Sequence, residues 1–173
     1  MILFPAQLAA LGSEAETINS YSESNYDTDN GMSADGFTQR GQALNLSKSQ
    51  VITGLKFYFK KKGTPTGNVV AKIYKTTGTV GTDAKPTGTA LATSDTLDIS
   101  TLTTSYILHE FEFVDLPLLS SGDFAFAIEY PDGDVSNRLK VEADGSSPTA
   151  DGNIFNNDAG VNTFACCFYL YGY

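Results

Sequence analysis

The sequence predicts an all-β protein: an antiparallel two-sheet β-sandwich, jelly-roll-like, with a short N-terminal appendage. Three observations lead there. Apolar side chains recur with a period of two in several short runs, as in Leu55, Phe57 and Phe59 or Phe124, Phe126 and Ile128. Turn-forming pairs (Asn30-Gly31, Asp35-Gly36, Asp144-Gly145, Asp151-Gly152) separate those runs at short intervals. The composition, with 11 Phe, 9 Tyr and 16 Gly but only 18% charged residues, favours strands and turns over helices.

In chain order, residues 1–11 form an uncharged apolar run. Pro5 near its start and Gly12 past its end predict a short helix. The run lacks the basic start of a secretory leader and the length of a membrane span. Residues 13–36 are polar and acidic and predict a strand lead-in and loop. Phe37 to Leu46 is the first expected strand, and Val51 to Lys61 the clearest, with Lys56, Tyr58 and Lys60 opposite Leu55, Phe57 and Phe59. A turn at Gly63-Thr64-Pro65-Thr66-Gly67 leads to a strand over Asn68 to Lys75. After a Thr/Gly loop over Gly78 to Gly88 come a short strand at Leu91 to Ser94 and a connection to Leu102. Further strands are expected over Tyr106 to Val114, Phe124 to Tyr130, Asn137 to Glu142 and Phe164 to Tyr171. The domain is assigned to residues 20–173, behind a docking arm over 1–19. Its core is expected to hold Leu55, Phe57, Phe59, Ile73, Phe111, Phe113, Phe124, Phe126, Ile128, Phe168 and Leu170.

Charge is unevenly distributed within a net −9: residues 1–35 carry six acids and no base, residues 36–85 nine bases and one acid, and residues 86–173 thirteen acids and two bases. The overall balance opposes nucleic-acid binding, which needs a positive surface to displace counterions. Lys56, Lys60 and Lys72 are read as a basic stripe on adjacent strands, interleaved with Tyr58 and Tyr74. Pairing of the blocks within one fold is one reading; attraction between copies is the other.

Ser20-Tyr21-Ser22-Glu23-Ser24-Asn25, Arg40-Gly41-Gln42-Ala43, the run from Leu55 to Gly67, Ala71-Lys72-Ile73-Tyr74, Pro86-Thr87-Gly88 with Leu91-Ala92-Thr93-Ser94, Asp98-Ile99-Ser100-Thr101-Leu102 and Phe168-Tyr169-Leu170-Tyr171-Gly172 together carry a resemblance. Over residues 20–172 the chain resembles a β-sandwich domain common in tailed-phage and phage-like structural proteins, with a likeness to carbohydrate-binding jelly rolls. The resemblance implies a virion structural protein without catalytic residues. It would be a capsid decoration protein on the head surface, assembled in the host cytoplasm and contacting a major capsid or tail protein. The alternative it implies is a carbohydrate- or receptor-binding module of a tail fibre, recognising a cell-surface glycan. Members often carry a Trp before the last strand. Here that stretch reads Gly160-Val161-Asn162-Thr163-Phe164, and the chain has no Trp.

The candidate residues follow from chemistry. By strand parity Tyr58, Tyr74, Tyr169 and Tyr171 face outward and could stack on sugar rings. Asp144, Asp151, Asn153 and Asp158 form an oxygen-rich loop region of the kind that can hold calcium, but their spacing matches no EF-hand and Asp-Gly turns arise for backbone reasons, so no metal or other cofactor is assigned. His109 shares parity with Phe111 and Phe113 and is read as packing; Glu110 and Glu112 are read as solvated. Nothing asks for an enzyme. Ile2, Leu3, Phe4, Leu8 and Leu11 put large apolar side chains ahead of an acidic linker and need cover, from the chain's own sandwich or from a neighbour. The charge blocks favour the neighbour, with residues 13–35 lying across Lys56, Lys60 and Lys72 of another copy in a homo-oligomer, a trimer being the leading expectation. Neither nucleic acid nor membrane is expected as a partner.

Overall fold

A computed structural model describes residues 14–146, 148–157, 159–161 and 163–173. Among these, antiparallel strands build two sheets packed face to face. The first sheet contains β1 (Glu16–Tyr21), β2 (Thr28–Met32), β4 (Gln50–Lys62), β8 (Ile107–Glu112), β9 (Leu118–Leu119), β11 (Arg138–Asp144), β14 (Ala165–Cys166) and β15 (Phe168–Gly172). The second contains β3 (Gln39–Leu46), β5 (Asn68–Thr77), β6 (Lys85–Thr93), β7 (Leu97–Asp98), β10 (Gly122–Glu129), β12 (Asn153–Asn156) and β13 (Ala159–Val161). The chain passes from one sheet to the other at nearly every long connection.

The long strand β4 organises the first sheet. Its residues 54–57 pair with both β15 and β8, so these two strands lie on its opposite edges; β11 takes over from β15 beyond Tyr58. In the second sheet β10 is central, between β3 and β5. The inner faces meet through Leu55, Phe57 and Phe59 of β4, Ile73 of β5, Phe111 and Phe113 after β8's start, Phe124, Phe126 and Ile128 of β10, and Phe168 and Leu170 of β15, all buried in one apolar cluster as strand parity predicts. His109, on β8, stacks on Phe59 with ring centroids 4.3 Å apart, and burial pushes its imidazole below the ordinary histidine value.

Polar braces also cross the interior. Arg40 and Gln42 share the inner face of β3 with Leu44. Gln42 Oε1 accepts from the Cys166 backbone N–H at 3.1 Å, joining the sheets, while its Nε2 donates to the Asp151 carbonyl at 2.9 Å. Arg40 is fully buried: Nη1 donates to Asn156 Oδ1 at 2.8 Å, and Asn30, with its amide oxygen turned inward, accepts from both Nη atoms at 3.0 and 3.1 Å.

Several expectations are corrected. Residues 16–19, assigned to the arm, are strand-paired within the sandwich, because β1 runs antiparallel to β15 with Glu16 opposite Gly172. The acidic stretch expected as a strand lead-in and loop supplies two paired strands, β1 and β2. The final strand is split: Cys166 and Cys167 are both fully buried, so alternation breaks between β14 and β15. A hairpin of β12 and β13 occupies part of the region expected as loop after Asp151. Ile2, Leu3, Phe4, Leu8, Leu11, the short helix over residues 5–11 and Asp158 lie outside the described residues.

Candidate functional site

The outward face of the first sheet gathers three of the four candidate tyrosines. Strand register sets two rows across β15, β4 and β8. One reads Tyr169, Lys56, Glu110; the next reads Tyr171, Gly54, Glu112. In the first row Lys56 Nζ lies 3.2 Å from Glu110 Oε2. Burial works against the lysine's charge, but Glu110 outweighs it and holds Lys56 above the ordinary value. Tyr169 and Tyr171 stack with centroids 6.4 Å apart and planes 14° apart, and Lys56 Nζ sits 4.9 Å from the Tyr171 centroid. The Tyr169 hydroxyl donates to Glu23 at 2.6 Å, which lowers the Glu23 carboxyl below its usual range. In the second row the missing side chain at Gly54 leaves a gap. A groove of about 540 Å³ opens there, lined by Glu110, Glu112, Val114, Leu116, Tyr171 and Tyr173 among others.

Further along the same face Tyr26, Tyr58 and Tyr106 form a triangle of rings with centroids 5.7–6.0 Å apart. Lys60 and Lys140 are cross-strand partners, an unfavourable like-charge pair. Two neighbours relieve it: Asp29 forms an ion pair with Lys140, and Lys60 Nζ lies 4.0 Å over the Tyr106 ring. The Tyr106 hydroxyl donates to Asp29 at 2.6 Å. Burial raises the Asp29 carboxyl, but Lys140 and Tyr106 outweigh it and bring it below the ordinary value. Glu142, opposite Asp29 in register, is buried, and its carboxyl is raised by that burial.

Lys72 and Tyr74 belong elsewhere. The turn from Gly63 to Gly67, with both glycines at positive φ, carries the chain across the sandwich rather than closing a hairpin, so β5 lies in the other sheet. The basic stripe of Lys56, Lys60 and Lys72 is therefore divided between opposite faces of the molecule, and two of its lysines are already paired internally. Lys72 Nζ lies 2.5 Å from Glu129 Oε2. Glu129 also accepts from Gln39 Nε2 at 2.6 Å and from the Tyr74 hydroxyl. Tyr74 faces outward from its sheet, as parity predicts, but it is buried rather than open. It joins a second apolar cluster with Ala43, Ala84, Ala125, Ala127 and Phe155 on the outer side of the second sheet. The connection between β5 and β6 packs there, tied by Asn153, whose Nδ2 donates to the Ala84 carbonyl and whose Oδ1 accepts from Gly81 N–H.

Among the described residues, the members of the oxygen-rich loop have separate partners. Asp144 is buried and accepts from the Tyr21 hydroxyl at 2.5 Å and Ser146 N–H at 3.0 Å. Asp151 accepts from Asn19 at 3.2 Å, and Asn153 is held by the loop contacts above. Among the described residues no group of three His, Cys, Asp or Glu side chains is placed to hold a metal ion, and no helix is long and apolar enough to cross a membrane.

No family model matches the chain, and no curated protein matches it in sequence. Solved structures that align with the chain include the cysteine protease and lectin-like domains of Cwp84, a surface layer associated protein of Clostridium difficile (9% identity, 78% of this chain and 31% of that one, TM-score 0.43). A CocE/NonD family hydrolase from Staphylococcus aureus aligns at 8% identity over 92% of this chain and 37% of that one, with TM-score 0.39. Infectious bursal disease virus, Gx strain, aligns at 14% identity over 92% of this chain and 40% of that one, with TM-score 0.33. The chain thus spans between 31% and 40% of the length of these structures.

Proposed function

We propose that the protein is a structural module of a virus particle, a capsid decoration protein on the head of a tailed phage. The observation that carries this reading is the β8–β9 margin of the first sheet. β8 pairs only with β4 among the described residues, which leaves its other edge free. Along this margin Ile107 is 44% exposed, Val114 63% and Leu118 71%. A free strand edge with apolar side chains is a liability for a lone soluble domain and an asset for one that works against a second chain. The likeness of residues 20–172 to phage structural modules supports the same reading. In it the protein is assembled in the host cytoplasm, sits on the virion surface, contacts a major capsid or tail protein and associates with itself, as a trimer. The apolar residues 2–12 add to that attachment, so their deletion leaves a folded domain that no longer assembles. The test is direct. Particles purified from a host carrying the gene should contain the polypeptide, by mass spectrometry, in fixed ratio to the major capsid protein. Particles that lack it overturn the proposal.

A further inference from the structure

We infer that the gap at Gly54 is a binding slot for a neutral pyranose sugar, with Tyr171 as its stacking platform and Glu112 and Glu110 as its hydroxyl acceptors. This inference does not depend on where the protein resides.

Three strands abreast supply the slot. Tyr171 stands on β15, Glu112 on β8, and between them β4 carries a glycine, so the position that should fill the middle of the face is open. The backbone at Gly54 is not in the left-handed region, so a side chain there would be tolerated conformationally. A Cβ added at this position would meet the Phe111 carbonyl at 3.1 Å and Glu110 Oε1 at 3.9 Å, and larger groups would extend into the groove. The groove's volume of about 540 Å³ falls within the range of small-ligand sites.

Its chemistry selects the ligand class. An aromatic ring offers an apolar face that matches the C–H face of a pyranose, and carboxylates accept hydrogen bonds from hydroxyls. Tyr171 is held by its stack with Tyr169 and by Lys56, so the platform is pre-oriented. Glu110 is partly neutralised by Lys56, whereas Glu112 is exposed and has no ion pair among the described residues. The local field is negative, which repels sialic and uronic acids and leaves neutral hexoses and N-acetylhexosamines as the class that fits. Leu116, also in the lining, suits a methyl or methylene group of such a sugar.

The experiment titrates the purified full chain with neutral hexose and N-acetylhexosamine oligosaccharides and with a sialylated trisaccharide, followed by tyrosine fluorescence and ligand-observed NMR. Saturable binding of at least one neutral sugar with Kd near or below about 1 mM is expected, with none for the sialylated one. Tyr171→Ala, Glu112→Ala and Gly54→Thr should each weaken it at least tenfold, and Tyr171→Phe should retain it. Glu112 is exposed, so Glu112→Ala decides the matter if another variant fails to fold. No saturation by any neutral sugar at about 20 mM, preference for the sialylated ligand, or binding indifferent to Glu112→Ala and Gly54→Thr would each overturn the inference.

Discussion

Replacing Phe126 by alanine tests the inner-face assignment most directly. Phe126 lies on the central strand β10, fully buried, with Gln42 and Ile73 as its register partners on the two sides. A buried phenylalanine removes about 150–250 Å² from water, which at about 25 cal/mol/Å² is about 4–6 kcal/mol. That range is an upper bound, because the unfolded chain already covers part of the ring and alanine keeps the Cβ. Measured against similar truncations, the expected loss is about 3–5 kcal/mol, or a melting temperature lower by about 10 °C for a chain of this size. The chain has no Trp. Urea unfolding is therefore followed by tyrosine emission and far-ultraviolet circular dichroism, which should move together with an unchanged slope. Phe37→Ala serves as the control: that ring is 40% exposed and its removal should cost below about 1 kcal/mol. A loss below about 1 kcal/mol at Phe126 with an unchanged slope would mean that the ring does not fill the space between the sheets.

Other perturbations reach the polar networks. Burial raises the Glu129 carboxyl, but Lys72, Tyr74 and Gln39 outweigh it and hold it below the usual carboxylate range. Its stabilisation is then present above the unfolded value and lost as pH falls through the folded one, so Glu129→Gln should flatten part of the acid-side fall in urea midpoint. Glu142 has the opposite sign. Burial raises its carboxyl, so the native state favours the protonated form and loses stability as pH rises through the folded value. Glu142→Gln should raise the melting temperature near neutral pH, by calorimetry, and do so less in acid; an equal gain at both would refute the burial argument. The thiols of Cys166 and Cys167 are both raised by burial, so a chromogenic disulfide reagent at mildly alkaline pH should label neither in the native protein and both in denaturant.

The inner faces were legible in the sequence because strand alternation is a local signal. Phe57 and Phe59, or Phe124 and Phe126, announce one buried side each without reference to any other strand. Which sheet a strand joins is not local. β4 and β5 are consecutive and separated by a short glycine-bounded turn, the pattern of a hairpin, yet they lie on opposite sheets; Lys72 and Tyr74 were placed beside Lys56 and Tyr58 for that reason. The edge strands β1 and β2 bury little, Tyr21 and Met32 among polar neighbours, and so leave no periodic trace that would set their bounds beyond a strand lead-in. Arg40 shows another limit. Its partners Asn30 and Asn156 come from before β3 and from β12, and only the folded chain brings them to one place. The groove at Gly54 needed three strands in register, although the glycine inside an otherwise regular strand marked the spot.

The pairing of β1 with β15 sets a timetable for synthesis. A ribosome releases residues 16–21 early, but the strand that receives them, residues 168–172, is made about a hundred and fifty residues later. At typical elongation rates that delay is about 10–30 s, during which the first strand has no native partner and β4 lacks a neighbour on one edge. Sheets that depend on such distant pairings fold slowly, because the loop must close before any contact rewards it. Completion of this sandwich therefore waits until residues 168–172 have emerged. Nascent chains stalled before Phe168 should remain open to protease at β1 and β4 while the finished protein resists.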